Sequence, residues 1–271
     1  MTKSRIILFL IAIIATIGIY QLPRVVVDDK KEKVELSEPL KVEDDHTPAN
    51  RVISEELSAR ITEYKEFALH GESIEKRVIF ADSLAEAFKN IFFYDSAAYY
   101  LEIIAKELKS EKGYRKAGDA FFDAFNFTVS ESKRNNLGRK VQEYYEKVLE
   151  LNPDDLDAKA NMAVTFVTSA APMQGITVLR EILEKEPTHE KALFNLGLLS
   201  ITSGQFDRAV ERFNTLLLHH PGNFEAMLYL GYSYLELGKE ELAREQFERI
   251  LSSEAEETLK ETANSYLESI K

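Results

Sequence analysis

Pro153, Pro187 and Pro221 stand 34 residues apart, and a set of other residues keeps the same step. Ala158, Ala192 and Ala226 keep it, as do Ala163, Gly197 and Gly231. Gly204 pairs with Gly238, Ala209 with Ala243, Phe213 with Phe247, and Ile182 with Leu216 and Ile250. A period of this length belongs to helix-turn-helix units that cannot bury their apolar faces alone and must stack on their neighbours. Each matched position has a physical use. The small residue at 163, 197 or 231 lets the second helix of a pair approach the first. Gly204 and Gly238 supply the left-handed residue that ends the first helix. Ala209 and Ala243 permit close contact again, and Phe213 and Phe247 fill the space between successive pairs. Each proline stops a second helix, since it lacks an amide hydrogen and clashes with the preceding turn.

The pattern continues upstream with fewer matches. Val141, Tyr145, Val148 and Leu149, ahead of Pro153, suit a second helix, and residues 117–122 suit its first. Residues 128–136 interrupt the period and are read as an inserted loop or helix extension. Asp95, Ala97, Leu101 and Ile104 suit another second helix, with Leu84 and Ala85 in its first. Five helix pairs are therefore expected from about residue 74, with a leading helix over 54–70 and a closing helix over 256–270. The third pair has Ala170, Ala171 and Pro172 near its internal turn instead of a glycine, so that turn is expected to differ.

Asn195, Leu196, Gly197, Gly204, Ala209, Phe213 and Pro221, followed by Tyr229, Leu230, Gly231, Gly238, Ala243 and Phe247, resemble the tetratricopeptide repeat (TPR) family. The resemblance spans about residues 154–252, although no repeat carries the usual first-helix tryptophan. It implies an all-α, right-handed α-solenoid of TPR-like helix-turn-helix repeats, whose first helices line a protein-binding groove. The lining positions in the family are the second, fifth, ninth and twelfth of each repeat. They fall here on Asp157, Ala160, Val164 and Val167; on Lys191, Phe194, Leu198 and Ile201; and on Glu225, Leu228, Tyr232 and Leu235. The expected protein-binding groove is thus Ala160, Val164, Val167, Lys191, Phe194, Leu198, Ile201, Leu228, Tyr232 and Leu235, unless tighter curvature or the chain's own N-terminal segment covers them. Some relatives grip a C-terminal carboxylate with lysine and asparagine. Arg115, Asn161 and Lys191 suit such a clamp, whereas Asp119 and Asn195 break it.

Residues 6–22 form an uncharged run that reaches about 25 Å as a helix, near the short end of a membrane span. Lys3 and Arg5 precede it. Residues 18–23 lack the small side chains that signal peptidase requires, so an uncleaved transmembrane helix is expected. The charge-dense stretch that follows contains Pro39 and Pro48 and has no helical period. It reads as a tether. The expected organisation is an anchor over 1–24, a linker over 25–52, a leading helix over 53–73, two divergent repeats over 74–153, three repeats over 154–252 and a capping helix over 253–271.

A formal net charge of −12 disfavours nucleic-acid binding. With no cysteine, thiolate catalysis, disulfides and cysteine-ligated metals are excluded. His219 and His220, adjacent on a helix, point in different directions and do not suggest a metal site. No phosphate loop or nucleophile elbow occurs, and no catalytic residue or cofactor is expected. The expectation is a non-enzymatic, single-pass scaffold of the cell inner membrane. Its repeats face the periplasm and bind proteins of an envelope or translocon-associated complex. A self-assembling, homo-oligomeric structural subunit and a holdase-like chaperone are the alternatives.

Overall fold

A computed structural model describes residues 54–167 and 171–270. Among these residues there are twelve α-helices and no strand. They are α1 (Glu55–His70), α2 (Ile74–Asn90), α3 (Tyr94–Leu108), α4 (Glu111–Phe127), α5 (Glu131–Leu151), α6 (Leu156–Val167), α7 (Pro172–Lys185), α8 (Glu190–Thr202), α9 (Phe206–His219), α10 (Phe224–Glu236), α11 (Glu240–Leu251) and α12 (Glu257–Ser269). Among them none is long and apolar enough to cross a membrane. The apolar run 6–22 and the tether 25–52 lie outside the described residues.

The helices start and stop for local reasons. Ser54, Ser73, Ser110 and Ser130 cap α1, α2, α4 and α5 by accepting a hydrogen bond from an amide three residues on. Asp155 does the same for α6 through Ala158, and Asn223 for α10 through Ala226. Each such bond satisfies an amide that the helix cannot. Pro153, Pro187 and Pro221 each follow the end of a second helix by two residues. The turns after α8 and α10 pass through Gly204 and Gly238, both at φ +69°. Phe92 holds the same place after α2 at φ +66°, in a region that costs a residue with a Cβ about 1–2 kcal/mol. Residues 128–136, which interrupt the period, are largely helical. Ser130 starts α5 early and makes it 21 residues long.

The described helices alternate as first and second members of pairs, from α2/α3 to α10/α11, and each packs on its sequence neighbours. One ladder of second-helix side chains repeats through every pair. Leu101, Tyr145, Leu179, Phe213 and Phe247 are all buried, and so are Ile104, Val148, Ile182, Leu216 and Ile250. Facing the ladder, the first helix must offer a small residue. A Cβ on Gly197 would lie 2.6 Å from the Phe213 ring, and one on Gly231 would lie 2.5 Å from Phe247. The third pair reverses the arrangement. Ala163 stands where the two following pairs have Gly197 and Gly231, and Gly175 stands where they have Ala209 and Ala243. A Cβ on Gly175 would run into the carbonyl oxygen of Ala163 and the side chain of Val167. The buried apolar residues form four clusters in series along the chain. α12 closes the last cluster with Ala263 and Ile270, while Tyr266 stacks on Phe247 at 5.2 Å.

Glycine-to-alanine variants separate the two uses of glycine. Gly204→Ala meets open space and is expected to cost about 1 kcal/mol for its backbone conformation alone. Gly197→Ala keeps an easy helical backbone but pushes Phe213, and about 1–3 kcal/mol is expected. Denaturant unfolding of the two variants checks the order; equal losses would contradict it.

Candidate protein-interaction wall

The first helices α6, α8, α10 and α12 touch one another in succession, whereas contact between consecutive second helices is slighter. The first helices therefore form the inner wall, with the second helices behind it. The expected groove residues divide once placed on this wall. Ala160 is fully buried, enclosed by Ala163, Leu179, Ile182, Ala192 and Leu196, and Leu228 is 9% exposed. Neither contributes appreciable surface, because adjacent first helices lie close enough to cover them. Val164, Val167, Phe194, Leu198, Ile201, Tyr232 and Leu235 are half-buried. Phe194 leans on Phe213 and Tyr229 with ring centroids 6.1 and 5.9 Å away. Tyr232 stands 6.2 Å from the Phe206 ring and 6.0 Å from Tyr266. Phe194, Leu198, Ile201 and Leu235 back onto the C-terminal cluster, and Val164 onto the cluster around Tyr145. The result is an apolar strip along α8 and α10 that shows one side to solvent and is supported from behind.

Toward α4 and α6 the wall turns polar. Buried Tyr145 donates from its hydroxyl to Asp119 at 2.5 Å and accepts from the Asn161 amide at 2.7 Å. Burial, and then the Asp119 charge, push the Tyr145 hydroxyl well above the usual tyrosine range, so it stays protonated and keeps donating. Arg115 pairs with Asp155 and, at 2.9 Å, with Glu111. Lys191 lies 3.4 Å from Asp157, and the Asn195 amide donates to the Lys191 carbonyl at 2.7 Å. Every residue that suited or broke a carboxylate clamp thus has a partner within the chain. An incoming carboxylate would have to break Arg115 from two acids and would meet Asp119. This part of the wall reads as structural.

The Tyr145 bridge was not visible in the 34-residue period, because its Asp119 partner lies across the interrupted segment. A second polar hub, on α3 and α5, was also missed. Glu102 accepts from Lys140 at 2.8 Å and from the Tyr144 hydroxyl at 2.9 Å, and ion-pairs with Lys106 at 3.1 Å. Among the described residues no group of three histidine, aspartate or glutamate side chains could hold a metal ion.

An array of stacked helix hairpins with a partly exposed apolar strip on its inner wall is a repeat scaffold of the α-solenoid class. Residues 194–257 match the family model described as tetratricopeptide repeat. TTC0263, a thermophilic TPR protein of Thermus thermophilus, is similar in structure, with TM-score 0.54 at 16% identity, over 69% of this chain and 97% of that one. A MamA protein structure gives TM-score 0.43 at 17% identity, over 69% and 94%. YrrB, a TPR protein described as having an unusual peptide-binding site, gives 0.42 at 17%, over 77% and 97%. Comparison with curated proteins finds no match.

Burial raises the Asp155 carboxyl, but bonds from Arg115 and from the Ala158 amide outweigh it, and the net shift is downward. Burial likewise raises Glu102, and bonds from Lys140, Lys106 and Tyr144 outweigh that too. A carboxyl held below its unfolded value stabilises the fold above the ordinary carboxylate range. That contribution is lost as pH falls through the folded value. Denaturation midpoints are expected to fall below about pH 4. Asp155→Asn keeps a good capping residue without the charge, so it should lower the neutral-pH midpoint and make the acid fall shallower. An unchanged acid profile would contradict this account.

Proposed function

We propose that this chain is a membrane-tethered TPR scaffold that recruits partner proteins through the apolar strip of its inner wall. One observation carries the reading: Phe194, Leu198, Ile201, Tyr232 and Leu235 keep a solvent-facing side on adjoining first helices, while the residues of a carboxylate clamp are satisfied within the chain. Recognition would therefore work by apolar contact along a peptide or helix, rather than by capture of a chain terminus. Half-buried aromatic and aliphatic side chains with rigid backing suit this use, since little rotamer freedom remains to be lost on binding.

The tether is read from sequence. Residues 6–22 are uncharged and are preceded by Lys3 and Arg5. In this reading they anchor the array in the cytoplasmic membrane with the repeats on the outer side, placed to serve envelope complexes. The full-length chain is expected in the carbonate-resistant membrane fraction with its N-terminus intact. Protease added to spheroplasts should degrade the repeats. A mature start near residue 21–25, or full protection, would contradict the anchor or the orientation.

For the wall, a photo-crosslinking residue at Ile201 or Tyr232 is expected to trap a discrete partner in native membranes. The same probe at Leu218, 77% exposed on α9, should not. Equal trapping at all three positions would remove the case for a specific wall. Trapping of a second copy would favour a self-assembling subunit instead, and trapping of many unrelated proteins would favour a chaperone.

A further inference from the structure

Behind the inner wall, three arginines gather on the consecutive second helices α7 and α9. Arg208 and Arg212 stand one turn apart on α9, and Arg180 lies on α7. Arg212 is half-buried, while Arg180 and Arg208 are exposed. The Arg212 guanidinium is fixed from below. Its Nη1 donates to the Leu196 carbonyl of α8 at 2.7 Å and to the hydroxyl of buried Ser200. Ser200 in turn donates to the same carbonyl at 2.9 Å. Among the described residues Nε and Nη2 of Arg212 have no partner, and neither is enclosed. That edge of a guanidinium can grip an oxyanion through two parallel hydrogen bonds. Nothing in the repeat calls for arginine at this place, since the same position carries Tyr144, Val178 and Gln246 in three other pairs.

A half-buried charge ordinarily has a counter-charge. Arg77 has Glu107, and Arg115 has Glu111 and Asp155. Glu181, Glu184, Asp207 and Glu211 adjoin the three arginines in sequence. Among the described residues, however, no carboxylate lies within ion-pair distance of Arg180, Arg208 or Arg212. Arg208 bonds the Gln205 side chain instead, at 2.6 Å. Burial, and then the like charges of Arg180 and Arg208, draw Arg212 below the ordinary arginine range, and Glu211 does not restore it. The surroundings of Arg212 are therefore positive, in a chain of net charge −12. Three guanidinium groups against Glu211 leave two positive charges in excess. A carboxylate supplies one negative charge, whereas a phosphate group supplies up to about two, on three acceptor oxygens. A small ion is screened from the acidic remainder of the chain beyond about 10 Å, and a long polyanion would meet it.

We propose that Arg180, Arg208 and Arg212 form a binding site for a small phosphate compound, with Arg212 gripping two oxygens and the two exposed arginines closing on the group from α7 and α9. The site lies on the second helices, behind the apolar strip, and does not rest on the scaffold reading.

The test is calorimetric titration of the full-length chain, in detergent at fixed ionic strength, with inorganic phosphate, glycerol 3-phosphate and acetate. Phosphate or its ester is expected to bind saturably, one per chain, at least tenfold more tightly than acetate. Whichever of the two binds more tightly identifies the free ion or the ester as the form taken. Arg180→Gln and Arg208→Gln, both at exposed positions, should each weaken binding at least threefold with no change in melting temperature. Arg212→Lys keeps the charge but loses the two-pronged edge, and should weaken it at least tenfold. That variant also gives up bonds to α8, so if it does not fold the two exposed variants decide. Absence of saturable binding, equal binding of acetate, or undiminished affinity in either exposed variant overturns the site.

Discussion

The array depends on how closely two helices can approach within each pair. Ring against glycine is the recurring solution, with Phe213 on Gly197, Phe247 on Gly231 and Tyr145 on Gly118. Once the missing side chain admits the ring, the rest of the pair falls into place. The ladder residue is buried, the next turn of the second helix brings Leu216 or Ile250 into the same core, and the first helix is set at a fixed depth. Pairs set at the same depth can stack, and stacking builds the continuous core. The third pair reaches the same end by exchanging the two small positions, with Ala163 on its first helix and Gly175 on its second.

Uneven stacking has functional consequences. Where first helices meet directly, as in α8 and α10, their outward side chains merge into one apolar strip. At α4 the wall carries Arg115 and Asp119, and both charges are engaged within the chain. Between α2 and α4 two ion pairs, Lys116 with Asp82 and Lys89 with Asp123, join the first helices. One repeat architecture thus gives surfaces of different chemistry, according to which residues fill the inner positions.

Much of this was legible in the sequence. The residues that fix helix spacing recur at 34-residue intervals because each pair faces the same packing problem, so Gly197 with Phe213 and Gly204 with its turn could be read without coordinates. The helical character of residues 128–136 was less plain, since a serine ahead of a polar stretch suits either a loop or a cap. Gly175 is in register with Ala209 and could have been found, but glycine inside a helix is ordinarily read as a weakness. The fate of the groove residues was not legible. Whether Leu228 faces solvent depends on how far α8 and α10 stand apart, a distance set by contacts between repeats that no single repeat encodes.

The last helix bears on how copies of such an array can associate. α12 lies across both α10 and α11, and its Tyr266 rests on Phe247 much as Tyr229 rests on Phe213 in the preceding pair. It therefore occupies the face on which a further hairpin would add, and Arg244 fastens it by donating to the Ile270 carbonyl at 3.1 Å. In the language of polymer growth, the C-terminal end carries its own chain terminator. Fibre-like extension, in which one molecule continues the solenoid of the next, is closed at that face.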